Sequence, residues 1–126
     1  MHRILMRTVV FDFAPDVHDA ARDFWGLALA AEVVRAVEHP EYHALEHPAA
    51  LGTVFVQNLG SAASHIHVDI ESDDIDAEVA RLTAAGAQEM SRHHDWVVMR
   101  DPAGLLFCVV PPDSEDFADR ARTVGV

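Results

Sequence analysis

Val10-Phe11-Asp12-Phe13-Ala14-Pro15-Asp16 and His67-Val68-Asp69-Ile70-Glu71-Ser72-Asp73 are one pattern written twice, 57 positions apart and without a gap. Each is an extended segment with a central aspartate that runs into the start of a helix. After the first, Val17, Ala20, Ala21, Phe24, Trp25 and Ala28 recur at the spacing of an amphipathic helix, with Asp16 as its cap. After the second, Ile75, Val79 and Leu82 form the apolar stripe, Asp73 caps, and Gly86 supplies the left-handed residue that ends a helix.

Three short apolar segments follow each helix: 32–37, 42–46 and 52–57 in the first copy, then 88–91, 96–100 and 105–110 in the second. His39-Pro40, His47-Pro48, His93-His94-Asp95 and Asp101-Pro102-Ala103-Gly104 separate them with turn chemistry. Each copy therefore reads β-α-β-β-β, which predicts a single α+β domain over 1–126, with module 1 at about 6–59 and module 2 at about 64–112. The stretch 58–64, rich in Gly, Ala and Ser, joins them, and the tail 113–126 is either a short helix over 113–122 or loose. Two unrelated helices aligned by chance would match in apolar pattern. They would not also match in element order and helix-start chemistry.

A chain of 126 residues, half of them hydrophobic, can bury its own core as one domain. Its 21 acidic and nine basic side chains give a formal charge of −12, which opposes phosphate backbones and anionic lipid, so neither nucleic acid nor membrane is an expected partner. The acidity reads first as solubility. The single cysteine, Cys108, forms no internal disulfide and suits a reducing compartment, so a cytoplasmic location is expected. No apolar run has the length of a signal peptide core or a membrane helix.

The two β-α-β-β-β copies, the Asp23-Phe24-Trp25 of the first helix and the closing Trp96-Val97-Val98-Met99-Arg100-Asp101-Pro102-Ala103-Gly104-Leu105-Leu106-Phe107-Cys108-Val109-Val110 together resemble the vicinal oxygen chelate superfamily. Within it, the chain looks closest to the small glyoxalase-like, bleomycin-resistance-like proteins. The likeness runs from about Arg7 to Pro111. It implies a curved mixed sheet forming a cup, helices on the outer face, and a divalent metal held by the first and last strands of each copy. It also implies a homodimer.

Carried over, the family's four ligand positions fall at Val10, at Val56 or its neighbour Gln57, at His67 and at Cys108. Only His67 has the expected ligand type, and Cys108 stands where a glutamate is usual. Gln57 becomes a donor only by a one-residue register change, which turns every neighbour to the opposite face. A stable metal site needs three or four protein donors, so the resemblance implies no tightly held metal, with His67, Gln57 and Cys108 as the remaining metal candidates and no other cofactor. Ala30 replaces a helix-ending glycine and Leu105 an asparagine.

His67, Asp69 and Glu71 alternate along one strand, as do Thr8, Val10 and Asp12 along its counterpart, so each set shares a face. By the resemblance that face lines the cup, making Val10, Asp12, Val56, His67, Asp69, Trp96 and Cys108 the candidate ligand-binding residues and His67 the candidate catalytic one. The alternative is structural: the aspartates pair with Arg7 or Arg100, or lie at a dimer seam, and His67 is hydrogen-bonded. Cys108 beside His67 is either an activated thiolate or, as its apolar Phe107-Cys108-Val109-Val110 strand favours, packing. His39, His43 and His47 are four apart, but Pro40 and Pro48 break the helix that would align them, and they read as surface residues. His93 and His94 read the same way. Trp96, Tyr42 and Phe55 are candidates for an aromatic wall, whereas Trp25 belongs to the core by spacing.

Two functions follow. The first is a metal-free protein that binds a small organic molecule in the cup. The second is a metal-dependent lyase, dioxygenase or isomerase of the same superfamily. The absent donors at Val10 and Val56 favour the first.

Overall fold

The computed structural model describes residues 1–28, 31–46, 53–58, 60 and 63–125. His47, Pro48 and Ala30 of the sequence reading lie outside them. The chain forms two compact units, Thr8–His67 and Met1–Arg7 with Val68–Val126. Strand β1 (His2–Phe13) gives its C-terminal half to the first and its N-terminal half to the second, and β5 (His65–Ser72) is divided likewise.

The Thr8–His67 unit carries α1 (His18–Ala28), β2 (Glu32–Arg35), β3 (Tyr42–Glu46) and β4 (Thr53–Asn58). Its strands run in the order β2-β3-β4-β1, with the start of β5 beyond β1. β1 and β4 are parallel, and the two hairpin contacts are antiparallel. Phe11, Leu45, Val54 and Val56 form the core on one face, where Trp25 of α1 covers them, its ring 4.9 Å from Phe11.

The rotation of α1 differs from the predicted stripe. Phe24 is exposed, whereas His18 and Gly26 are buried; Val17, also exposed, precedes the helix. Gly26 lies close against β2: a β-carbon there would sit 2.8 Å from Val33 Cγ2, so a larger residue would need Val33 to shift.

The second unit repeats the plan. Its strands run β5-β8-β7-β6, where β6 is Gln88–Arg92, β7 Val97–Arg100 and β8 Leu106–Val110. β5 and β8 are parallel, as β1 and β4 are in the first unit, and the hairpins are antiparallel. Helix α2 (Ile75–Ala84) covers Val97, Met99, Phe107 and Val109 through Val79, with Ile75 and Leu82 packed alongside as the spacing predicts. The α+β class and the repeated β-α-β-β-β order are thus what the chain adopts, each helix lying on one face of a mixed sheet.

The α2 cap is Asp74 rather than Asp73: Asp74 Oδ1 accepts from Ala77 N at 3.0 Å. Asp73 instead accepts from Arg3 N at 2.8 Å and ties β1 to the turn. Gly86 has φ 111°, the left-handed helix stop expected of it. Asp101 Oδ1 accepts from Ala103 N and Leu105 N, both at 2.8 Å, and so folds the Asp101–Gly104 turn around its own side chain.

The tail holds two elements among the described residues. Helix α3 (Phe117–Arg120) leads into β9 (Arg122–Val124), an edge strand that the sequence reading lacks, and β9 pairs with His2, Arg3 and Ile4 of β1. Glu71, placed by sequence on the ligand-lining face, anchors this segment instead. Its buried carboxylate accepts from Asp113 N and Ser114 N, each at 2.7 Å, and from Ser114 Oγ at 2.5 Å. No helix among the described residues is long and apolar enough to cross a membrane.

Candidate metal centre

Alternation along β1 sends Phe11 into the core under α1 and Val10 and Asp12 to the opposite face. All three are buried, Asp12 completely. His65 and His67 are likewise two residues apart on β5, so both imidazoles project to one side and meet Asp12. His67 Nδ1 lies within hydrogen-bonding distance of Asp12 Oδ2, and His65 Nε2 is 3.1 Å from the same oxygen. An ionised carboxylate only accepts, so each of these nitrogens presents a proton to it. Asp12 Oδ1 is also buried, and it has no hydrogen-bond partner among the described residues.

One donor atom from each of Asp12, His65 and His67 lies within 4.8 Å of the others. Two imidazoles and a carboxylate are a donor set for zinc or for iron, nickel or manganese. A divalent cation held there would take the place of the two protons, with the deprotonated His65 and His67 nitrogens and the Asp12 carboxylate as its ligands. His65 keeps more than a third of its side-chain surface exposed, so the cluster is reachable from solvent.

Val56 and Gln57 separate as the face rule requires. Val56 pairs with Phe11 and is fully buried in the α1 core, so its candidacy as a ligand-lining residue is overturned. Gln57 pairs with Asp12 and shares its face without any register change. Val10 pairs with Phe55 on that face and offers no donor. Tyr42 and Phe55 extend the same face as an edge-to-face pair with centroids 6.0 Å apart.

In the other unit, Asp69 and Cys108 are register partners on β5 and β8. They alternate with Val68, Ile70, Phe107 and Val109, which pack under α2, so they occupy the face away from that helix. Trp96 stacks on His93 in the turn before β7, centroids 4.5 Å apart and rings 14° from parallel. Arg7 pairs with Asp116 at 2.6 Å and Arg100 donates to Gln88, rather than either pairing with the strand aspartates Asp12 and Asp69.

His65 is the residue that sequence reasoning missed. The signal was present, because the alternation His67, Asp69, Glu71 extends back one step to His65. Counting donors only at the family's positions hid both His65 and Asp12, each two residues from a family ligand position. At the family's positions the donors remain His67, Gln57 and Cys108, and Asp12 and His65 add two beyond them.

The glyoxalase-like domain family profile matches residues 8–110. Comparison with curated proteins gives no match. Among solved structures, the chain is similar to a protein described as an NAD-dependent benzaldehyde dehydrogenase from Legionella pneumophila, with TM-score 0.61 and 8% identity over 84% of this chain and 98% of that one. It is similar to methylmalonyl-CoA epimerase from Mycobacterium tuberculosis, with TM-score 0.53 and 16% identity over 90% and 91% of the two chains. A Streptomyces coelicolor methylmalonyl-CoA epimerase variant in complex with 2-nitronate-propionyl-CoA gives TM-score 0.54 and 15% identity over 86% and 97%. At these identities the structural likeness speaks for the fold alone. With the family profile spanning most of the sequence and the β-α-β-β-β order present twice, the chain belongs to the glyoxalase-like domain family.

Proposed function

We propose that this chain holds a divalent transition metal through Asp12, His65 and His67 and binds a small, oxygen-bearing organic molecule on the same face. The observation that carries this reading is the convergence of two imidazole nitrogens on Asp12 Oδ2 while Asp12 Oδ1 is buried without a hydrogen bond. When bound, such a metal acts as a Lewis acid toward a carbonyl or enolate oxygen.

The chain's own residues supply the rest. Asp12, held in β1 between β4 and β5, fixes the orientation of both imidazoles. Tyr42 and Phe55 offer an apolar wall, and Gln57, in register with Asp12, offers an amide that can donate to a substrate oxygen or ligate through its own. The solved neighbours include proteins named as methylmalonyl-CoA epimerases, and a carbonyl compound with an acidic neighbouring carbon is the substrate class we propose here. The activity is then of the isomerase or lyase kind.

A second reading keeps the small molecule and omits the metal, with His67, oriented by Asp12, as the polar anchor. Val10 favours it, since a buried valine occupies a position where the family's metal proteins place a ligand. Elemental analysis of protein purified without chelator separates the two. Stoichiometric metal that is lost in Asp12→Asn supports the first reading. Metal-free protein whose melting temperature rises with a carbonyl compound, and no longer does so in His67→Ala, overturns the first and supports the second.

A further inference from the structure

On the α1 side of the Thr8–His67 unit, away from Asp12, lies a cavity of about 430 Å³ lined by His18, Asp19, Arg22, Arg35, His43 and Asn58, among others. His43 pairs with Val56 across β3 and β4, so the sheet itself separates this cavity from the metal-centre face. His18 is 3% exposed, and its Nε2 is buried with no hydrogen-bond partner among the described residues. His43 Nδ1 is in the same condition, and the two rings are 5.5 Å apart. Sequence placed His43 among surface residues; its inward ring nitrogen overturns that.

Two residues that line one cavity thus each carry a buried imidazole nitrogen with no hydrogen-bond partner among the described residues, an arrangement uncommon in folded proteins. Arg22 and Arg35 stand with Asp19 and Glu41 in the lining, so the formal charges cancel, and the sign of the partner is set by which cation is left outside the ion pairs. Asp19 is offset by His18 Nδ1 at 2.9 Å and Arg22 Nη1 at 3.2 Å, and Glu41 by His39 at 3.5 Å. Arg22 also donates through Nε to Asp23, which leaves its Nη2 outside both contacts. Arg35 forms no ion pair among the described residues; its one hydrogen bond runs from Nε to Pro40 O at 3.4 Å. The cavity also adjoins the first turn of α1, where the helix dipole is positive. Two of the protein's nine basic side chains line this one space, in a chain of net charge −12.

We propose that this cavity binds a small molecule through an oxyanion group, phosphoryl or carboxylate, held by Arg22 and Arg35 beside the imidazoles of His18 and His43. Nδ1 of His18 donates to Asp19, so a proton on Nε2 makes that nitrogen a second donor toward the anion. Burial, and then the charges of Arg22, His18 and Arg35, lower the His43 pKa, while Asp19 raises it. A bound anion supplies the counter-charge that this group lacks. Binding is therefore coupled to proton uptake, and the affinity gains up to about tenfold for each pH unit lowered above the His43 pKa.

The test is imidazole NMR of the full chain titrated with inorganic phosphate and, separately, with succinate. The expected result is saturable shifts of His18 and His43 together with a raised His43 pKa. Arg35→Gln, at an exposed position that is safe for folding, should weaken binding about tenfold. A response to phosphate alone assigns a phosphoryl group, and a response to succinate alone assigns a carboxylate. No saturable shift with either overturns the proposal, as does binding unchanged in Arg35→Gln. None of these outcomes depends on metal at Asp12.

Discussion

Asp12 Oδ2 and His67 Nδ1 face each other across the neighbouring strands β1 and β5, within hydrogen-bonding distance, with the carboxylate fully buried. A buried carboxylate with one oxygen left without a hydrogen bond is costly in an empty site. A cation relieves that cost.

Asp12→Asn keeps the shape and removes the charge. It should weaken divalent metal binding by more than about 100-fold, since a direct ligand matters at least as much as an outer-shell partner. His65→Ala should do the same although the sequence reading passed over it. Calorimetric titration with zinc and manganese measures both, and retention of wild-type affinity in either variant would remove that residue from the site.

Gln57 and Val56 should separate cleanly. Gln57→Ala is expected to weaken metal or ligand binding with little change in stability. Val56→Ala opens a cavity in the fully buried α1 core and should cost about 2 kcal/mol while leaving binding alone. Denaturant unfolding beside the same titrations tests this, and the opposite pattern would mean that β4 faces the other way.

Glu78 predicts an acid limit on stability. Burial works to raise its pKa, but the hydrogen bonds from Arg81 and His2 outweigh that and lower it overall. A folded pKa below the unfolded one stabilises the native state above the ordinary glutamate value, and this contribution disappears as pH falls through the folded value. Glu78→Gln should therefore flatten the acid limb of stability against pH. At neutral pH it should cost roughly 2 kcal/mol, at the low end for a broken buried pair because Arg81 is over a third exposed. Urea midpoints from pH 3 to 7 provide the measurement; an unchanged acid limb would show that Glu78 is not the group responsible.

Helix α2 offers a local check. Asp74→Ala should cost about 1 kcal/mol by removing the bond to Ala77 N. Asp73→Ala loses instead the bond from Arg3 N that ties down the β1 start, so its amide exchange should quicken at Arg3 rather than in the first turn of α2.

The sequence by itself determined the elements of the two copies and their repetition, but not β9. Strand and helix periods are local, and Ile75, Val79, Leu82 and Gly86 declare α2 whatever surrounds it. It also placed Asp12 and His67 on strand faces, since alternation needs no partner. Tertiary structure alone decided three things. The β1–β4 register put Gln57 rather than Val56 beside Asp12, because hydrogen bonding between distant strands sets register and one step inverts every face. The packing of α1 on its sheet turned His18 and Gly26 inward and left Phe24 exposed, which apolar spacing alone does not select. And β1 lying next to β5 brought His65 and His67 to a single carboxylate oxygen, a convergence of residues more than 50 positions apart that no local pattern encodes.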